Sequence, residues 1–214
     1  MDHAATPVPA TAGARQKLLA SALSLIREQG YSSTSVDELC AQAGVTKGAF
    51  FHHFKSKDAL GIAAANHWSQ ITRSFFESAA YHRHDDPLDR VLGYLDFRKA
   101  LLKGAIPEFT CLVGTMVQEI YDTNPGIRDA CEACISGHAA TLEPDIAAAM
   151  KRHRIRASWT AASLALHTQA VLQGAFILAK AKGDAAVAVA SVEHLRRYVE
   201  LLFQTTKRKK AETS

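Results

Sequence analysis

Several simple identities are excluded by what this chain lacks. Its start, "MDHAATPVPATAG", has no basic stretch followed by an apolar run, so it does not read as a secretion signal; small, polar and Pro-bearing, it reads as a flexible lead over residues 1–13. No run of about twenty uninterrupted apolar residues occurs, which argues against a membrane span. Cysteines are few, at 40, 111, 131 and 134, and in a signal-free chain of 214 residues they read as reduced thiols, so a cytoplasmic location is expected. There is no strand-like alternation, no repeat of fixed period and no Gly-rich cofactor loop. Net charge is only +4, too little for coating nucleic acid wholesale, so any such contact needs a local basic patch.

What remains is apolar residues at three- and four-residue spacing, and the expected fold class is all-α. A first helix is expected over 14–29, with Leu18, Leu19, Ala22, Leu25 and Ile26 on one face and Gly30 as its stop. Ser35 with Glu38 forms a capping box, which starts a short helix at Val36 that ends before Gly44. A helix of two turns follows from Thr46 or Lys47, and Ser56 caps a longer one over 57–80. Asp86-Pro87 and Asn124-Pro125 are cap-then-proline signals, and helices are expected over 87–103, 108–122, 125–153, 158–182 and 184–205. Pro144 should kink or split the long segment 125–153.

The stretch "GVTKGAFFHHFKSKDAL" carries the chemistry. Two short helices joined by a Gly turn, after a longer helix, make a helix-turn-helix whose second helix fits the DNA major groove. Phe50 and Phe54 are four apart, so they share a face and pack inward with Val45; Lys47, Phe51, Gly48 and His52 fall elsewhere. Three lysines and no acid lie between Thr46 and Lys57, which supplies the local patch. His52 and His53 are adjacent, so about 100° apart on a helix, and do not make a joint metal site; no metal or other cofactor is expected.

"TSVDELCAQAGVTKGAFFHHFKSKDAL" resembles the DNA-binding region of the TetR family of bacterial repressors, over about the first sixty residues. The resemblance implies a ligand-responsive, all-helical homodimer that binds double-stranded operator DNA, with a helix-turn-helix domain at 14–60, a fourth helix linking from about 57, and a ligand-binding and dimerisation domain at 61–205 followed by a basic tail at 206–214. It places Thr46, Lys47 and Ala49 at or near base edges, with Gly48 allowing close backbone approach. It places Phe51, His52 and Lys57 where phosphate is held, and Ser35 on a helix whose N-terminus faces phosphate. The family usually has Tyr where this chain has Phe51, so one hydroxyl contact is missing and the ring is left to pack on sugar or a thymine methyl.

The C-terminal part is less explicit. "TCLVGTMVQEIYDTNPGIRDACEACISGHAATLEP" resembles the ligand-binding half of one branch of that family, and Phe97, Leu101, Cys111, Met116, Tyr121 and Trp159 are candidate lining for a small, largely apolar effector. Helix 158–182 is apolar nearly all round, so one face should meet its own chain and another a second copy; Leu166, Val171, Ala175 and Leu178 are the candidate dimer contacts. The rival is a thiol- or metal-dependent helical enzyme or redox sensor using Cys111 or the Cys131/Cys134 pair, which lacks a nucleophile–base pattern. The basic tail reads as a disordered end.

Overall fold

The computed structural model describes residues 13–211, with side chains to 204, so the flexible lead expected at 1–13 lies, apart from the α1 N-cap Gly13, outside the described residues. The described elements are eleven α-helices and one short 3-10 turn: α1 Ala14–Gln29, α2 Val36–Ala43, α3 Lys47–His53, α4 Lys57–Glu77, the turn Ala80–Arg83, α5 Pro87–Ala100, α6 Ile106–Phe109, α7 Leu112–Ile120, α8 Pro125–Ala140, α9 Glu143–Arg152, α10 Ala161–Lys182 and α11 Ala186–Ala211. The all-α expectation holds. Where the spacing suggests one helix, two breaks appear. Thr110 and Cys111 separate α6 from α7, with Cys111 extended as the N-cap of α7. Pro144 sits in the first turn of α9, where its missing N–H costs nothing, and ends the longer segment at Ala140. The α11 backbone is helical as far as Ala211, which corrects the expectation of a disordered tail at 206–214 for its first six residues; the rest lies outside the described residues.

The chain forms two compact units. The first holds residues up to Ser74 together with Pro107–Ile135; the second holds Phe75–Ile106 and the residues from Ser136 onward. A division in sequence near residue 60 therefore does not describe the packing, because α6, α7 and most of α8 join the helix-turn-helix. One core runs through the first unit: Leu18, Leu19 and Ile26 of α1, Leu39 of α2, Phe50 and Phe54, Leu60 of α4, Val113 and Met116 of α7, and Ile127 of α8. In the second unit α10 packs on α9 and α11, and α5 packs on α9 and α11.

By length and composition α10 is apolar enough to cross a membrane, although no uninterrupted apolar run marks it. Its residues explain that composition differently. Leu164, Leu172, Ala175 and Phe176 are buried, while Leu166, Ile177 and Leu178 are exposed, and Thr168 and Gln169 are polar residues in the interior. One apolar face of α10 is thus satisfied inside its own chain, while the other carries exposed apolar side chains.

Candidate nucleic-acid interface

Local chemistry sets the α2–α3 geometry. Ser35 starts α2 with a reciprocal box: its Oγ accepts from Glu38 N at 3.2 Å, and Glu38 Oε2 accepts from Ser35 N at 2.8 Å and from Ser35 Oγ at 2.7 Å. Gly44 ends α2 in the left-handed region, φ +62°, a conformation that costs other residues. Thr46 Oγ1 then accepts from Ala49 N at 3.1 Å and starts α3. Phe50 and Phe54 are buried with ring centroids 5.9 Å apart, anchoring the inner face of α3 as their spacing requires, with Val45 packed against the same core.

The outer face of α3 is built from Lys47, Gly48, Phe51 and His52. Phe51 is 55% exposed although its ring edge lies on Phe50 at 5.2 Å, so it is a surface ring held in place by a core ring. His52 and His53 are both exposed. Lys47 Nζ pairs with Asp37 Oδ1 at 2.7 Å across α2 and α3, which raises the lysine pKa. Such an exposed pair contributes little and exchanges readily for another anion.

Two expected phosphate contacts are engaged within the chain. Ser35 spends both its N–H and its O–H on Glu38, and the hydrogen bonds from Ser35 hold the Glu38 carboxyl below its ordinary pKa, so a negative charge already occupies that helix start. Lys57 Nζ donates to Tyr31 O at 2.9 Å, Ser32 O at 3.4 Å and Thr34 O at 2.9 Å, and lies 4.4 Å from the Tyr31 ring centroid. An ammonium has three N–H donors, and these three carbonyls use them. Lys57 is therefore a brace for the α1–α2 loop. Lys55, part of the lysine patch but given no contact by the sequence, is exposed on the α3–α4 connection.

A second brace has no sequence signal. Glu119 near the end of α7 accepts from Tyr31 N at 3.1 Å and Ser32 N at 2.8 Å. It approaches so closely that a Cβ on Gly30 would lie 2.5 Å from Glu119 Oε1, and Gly30 has φ +91°. Glycine here serves both the left-handed backbone and the carboxylate contact. One loop is thus held by an ammonium on its carbonyls and a carboxylate on its amides, from residues 23 and more positions away in sequence.

The six candidate effector-lining residues divide between the units: Cys111, Met116 and Tyr121 in the first, Phe97, Leu101 and Trp159 in the second. Met116 is fully buried in the core that holds α3, and its Cε would lie 3.4 Å from a Cβ at Gly61. Tyr121 is 60% exposed as the C-cap of α7. Trp159 packs on Phe203 at 5.9 Å, and Phe97 joins the rings of Phe75, Phe76 and Tyr81. Met116 is thus a core residue of the helix-turn-helix unit. Met116→Trp is expected to overpack it and lower stability by about 1–3 kcal/mol. Thermal melts of the two proteins check this, and an unchanged melting temperature would return Met116 to a cavity wall.

Of the dimer candidates, Leu166 and Leu178 are exposed and Val171 is half-buried, but Ala175 is 2% exposed and faces its own chain. The spacing of α10 could not tell its two apolar faces apart. Ile177, Tyr198 and Leu201 are further large apolar side chains that are exposed. The Cys131/Cys134 pair offered to the enzyme rival is poorly suited to thiolate chemistry: burial pushes Cys131 up to about 12 and Cys134 up to about 11, so both stay protonated. Among the described residues, no group of three or more His, Cys, Asp or Glu side chains could hold a metal ion.

Known proteins match this arrangement. The model of bacterial regulatory proteins of the tetR family matches residues 18–64, and that of the tetracyclin repressor-like C-terminal domain matches residues 87–195. The transposon Tn10 TetC protein of Escherichia coli is 53% identical over 130 residues, covering 49% of this chain and 66% of that protein. The HTH-type transcriptional repressor NemR of Escherichia coli K12 is 28% identical over 150 residues, covering 65% of this chain and 70% of the relative. The crystal structure of a TetR transcriptional regulator from Chloroflexus aurantiacus superposes with a TM-score of 0.76 at 27% identity, covering 87% of this chain and 94% of that one. With both family models in register on the helices just described, the chain belongs to the TetR family and is a DNA-binding transcriptional regulator.

Proposed function

We propose that the chain is a homodimeric, cytoplasmic repressor that reads operator DNA with α3 and is released by a small-molecule effector. The observation that carries this is the outer face of α3. Thr46 caps the helix, Phe50 and Phe54 fix its inner side, and Lys47, Phe51 and His52 are left on the surface with Lys55 beside them. Two such helices in a dimer would enter successive major grooves about 34 Å apart. Effector binding would favour a dimer form whose helix spacing no longer fits, a population shift rather than a blockade. Ala49 and Lys47 are assigned to sequence reading. At Gly48 a Cβ would meet only Thr46 Oγ1, at 3.7 Å, so the helix start is open to a close neighbour. Phe51, His52 and Lys55 are assigned to the sugar–phosphate backbone, in place of Ser35 and Lys57.

Selection from a random duplex library tests the reading: a two-fold symmetric site should be enriched, and Ala49 or Lys47 substitutions should change its sequence. Enrichment of no site would remove the proposed function. Lys55→Ala should weaken binding uniformly across sequences and reduce the slope of log affinity against log salt by about one, the loss of a single phosphate contact. Titrations at several salt concentrations measure the slope, and an unchanged value would show that Lys55 stays in solvent.

A further inference from the structure

The second unit encloses a cationic group among aromatic rings. Phe76 from α4, Tyr94 from α5 and Phe176 from α10 place their ring centroids 5.1, 5.9 and 6.0 Å from the Arg98 guanidinium carbon. α5 has three basic residues. Arg90 pairs with Asp145 at 2.7 Å and Lys99 with Glu193 at 3.6 Å, while among the described residues the Arg98 side chain has no carboxylate and no hydrogen bond. Asp96, two positions away, is engaged by Arg196 at 3.0 Å. Arg98 is half-buried, and rings attract a cation without supplying the acceptors its five N–H groups need.

The polar groups beside it are neutral. Gln169, 3% exposed beside buried Thr168 on α10, donates from Nε2 to Tyr94 Oη at 3.1 Å. Tyr94 Oη lies 3.1 Å from His138 Nε2, so a hydroxyl that accepts from Gln169 donates its proton to the imidazole. Burial first, then the Arg98 charge, push the His138 pKa down to about 3, which fits a neutral ring accepting at Nε2. The chain thus brings a guanidinium fork, a polar triad and three rings together from α4, α5, α8 and α10, and among the described residues no anion meets the fork.

We infer that Arg98, with Phe76, Tyr94 and Phe176 around it, binds a small aromatic carboxylate, whose two oxygens meet the guanidinium and whose ring stacks within the aromatic cluster. A carboxylate supplies the bidentate acceptor that Arg98 lacks, and an aromatic body suits the rings. This rests on the reading of the chain as an effector-responsive regulator and refines it, since the effector expected from composition was largely apolar.

The test is calorimetric titration of the full chain, without DNA, using benzoate, phenylacetate and cinnamate, each beside its primary amide. At least one acid should bind, with its amide at least about tenfold weaker, the charge-assisted share of the contact. Arg98→Met keeps an apolar stem over the rings and should lose acid binding while retaining helical circular dichroism and operator affinity. Failure of all three acids at millimolar concentration, equal binding of acid and amide, or undiminished binding by Arg98→Met would overturn the assignment. The acid–amide contrast uses the unaltered chain, so it decides even if Arg98→Met fails to fold. Because no DNA is present, a negative result leaves operator binding to be judged separately.

Discussion

Replacing Ile177 and Leu201 together by aspartate is expected to give a monomer that has lost at least about a hundredfold in operator affinity, the scale of avidity when two linked contacts become one. Leu166, Ile177 and Leu178 of α10 and Tyr198 and Leu201 of α11 are large apolar side chains left in water by the single chain. The two helices pack on each other, and the His167 and Tyr198 rings meet at 5.4 Å, so the exposed residues belong to adjoining helices. Fully burying one such side chain contributes about 1.5–3 kcal/mol, and roughly half of that is available where it is already half covered. Five from each protomer give on the order of 10 kcal/mol before the cost of association, enough for a stable pair. Two aspartates remove part of this and place unpaired carboxylates in the interface. The substitution sites are exposed, so the protomer core is untouched. Ala175→Asp would not make the same test, since Ala175 is inside the protomer. Sedimentation velocity with operator titration reads the result; a variant that stays dimeric at micromolar concentration would place the interface elsewhere.

Lys57→Met should lower folding stability by about 3 kcal/mol and weaken DNA binding without changing its salt slope. Removing the ammonium unpairs the carbonyls of Tyr31, Ser32 and Thr34 and the cation–ring contact on Tyr31. Hydrogen bonds from a charged donor contribute about 1.5–3 kcal/mol each where buried, less at the solvent-facing Ser32. The loop that Lys57 holds leads into α2, so the lost affinity would come through misplacement of α2 and α3. Denaturant midpoints and salt titrations separate the possibilities. Unchanged stability with a slope reduced by about one would restore Lys57 as a phosphate ligand. Together with Lys55→Ala, the experiment asks which of two lysines two positions apart carries the counterion effect.

Those two lysines show how far spacing carries. The Phe50–Phe54 pair, the Ser35–Glu38 box, the Gly44 turn and the proline at α9 were legible because each is decided by residues within four positions of one another. That Lys57 and Ser35 are engaged within the chain was not legible, for the converse reason. Their functional groups are claimed by partners whose distance in the chain, or whose competing carboxylate, the pattern does not weigh. Met116 and Ala175 failed in another way: helical periodicity says that a residue is apolar and on a face, but not which neighbour covers that face.

Neighbouring residues alone dictate the all-helical architecture, the helix-turn-helix and its inner and outer faces, because caps, turns and helical spacing are short-range and their energies are local. Packing was needed to show that α7 and α8 share the core of the helix-turn-helix unit, that Glu119 and Lys57 grip one loop from two sides, which apolar residues of α10 stay exposed, and that Arg98 is the basic residue of α5 without an acid among the described residues. Each of these depends on which distant groups meet, and the pairing of charges, donors and apolar faces across helices is set by how the helices pack rather than by any pattern along one of them.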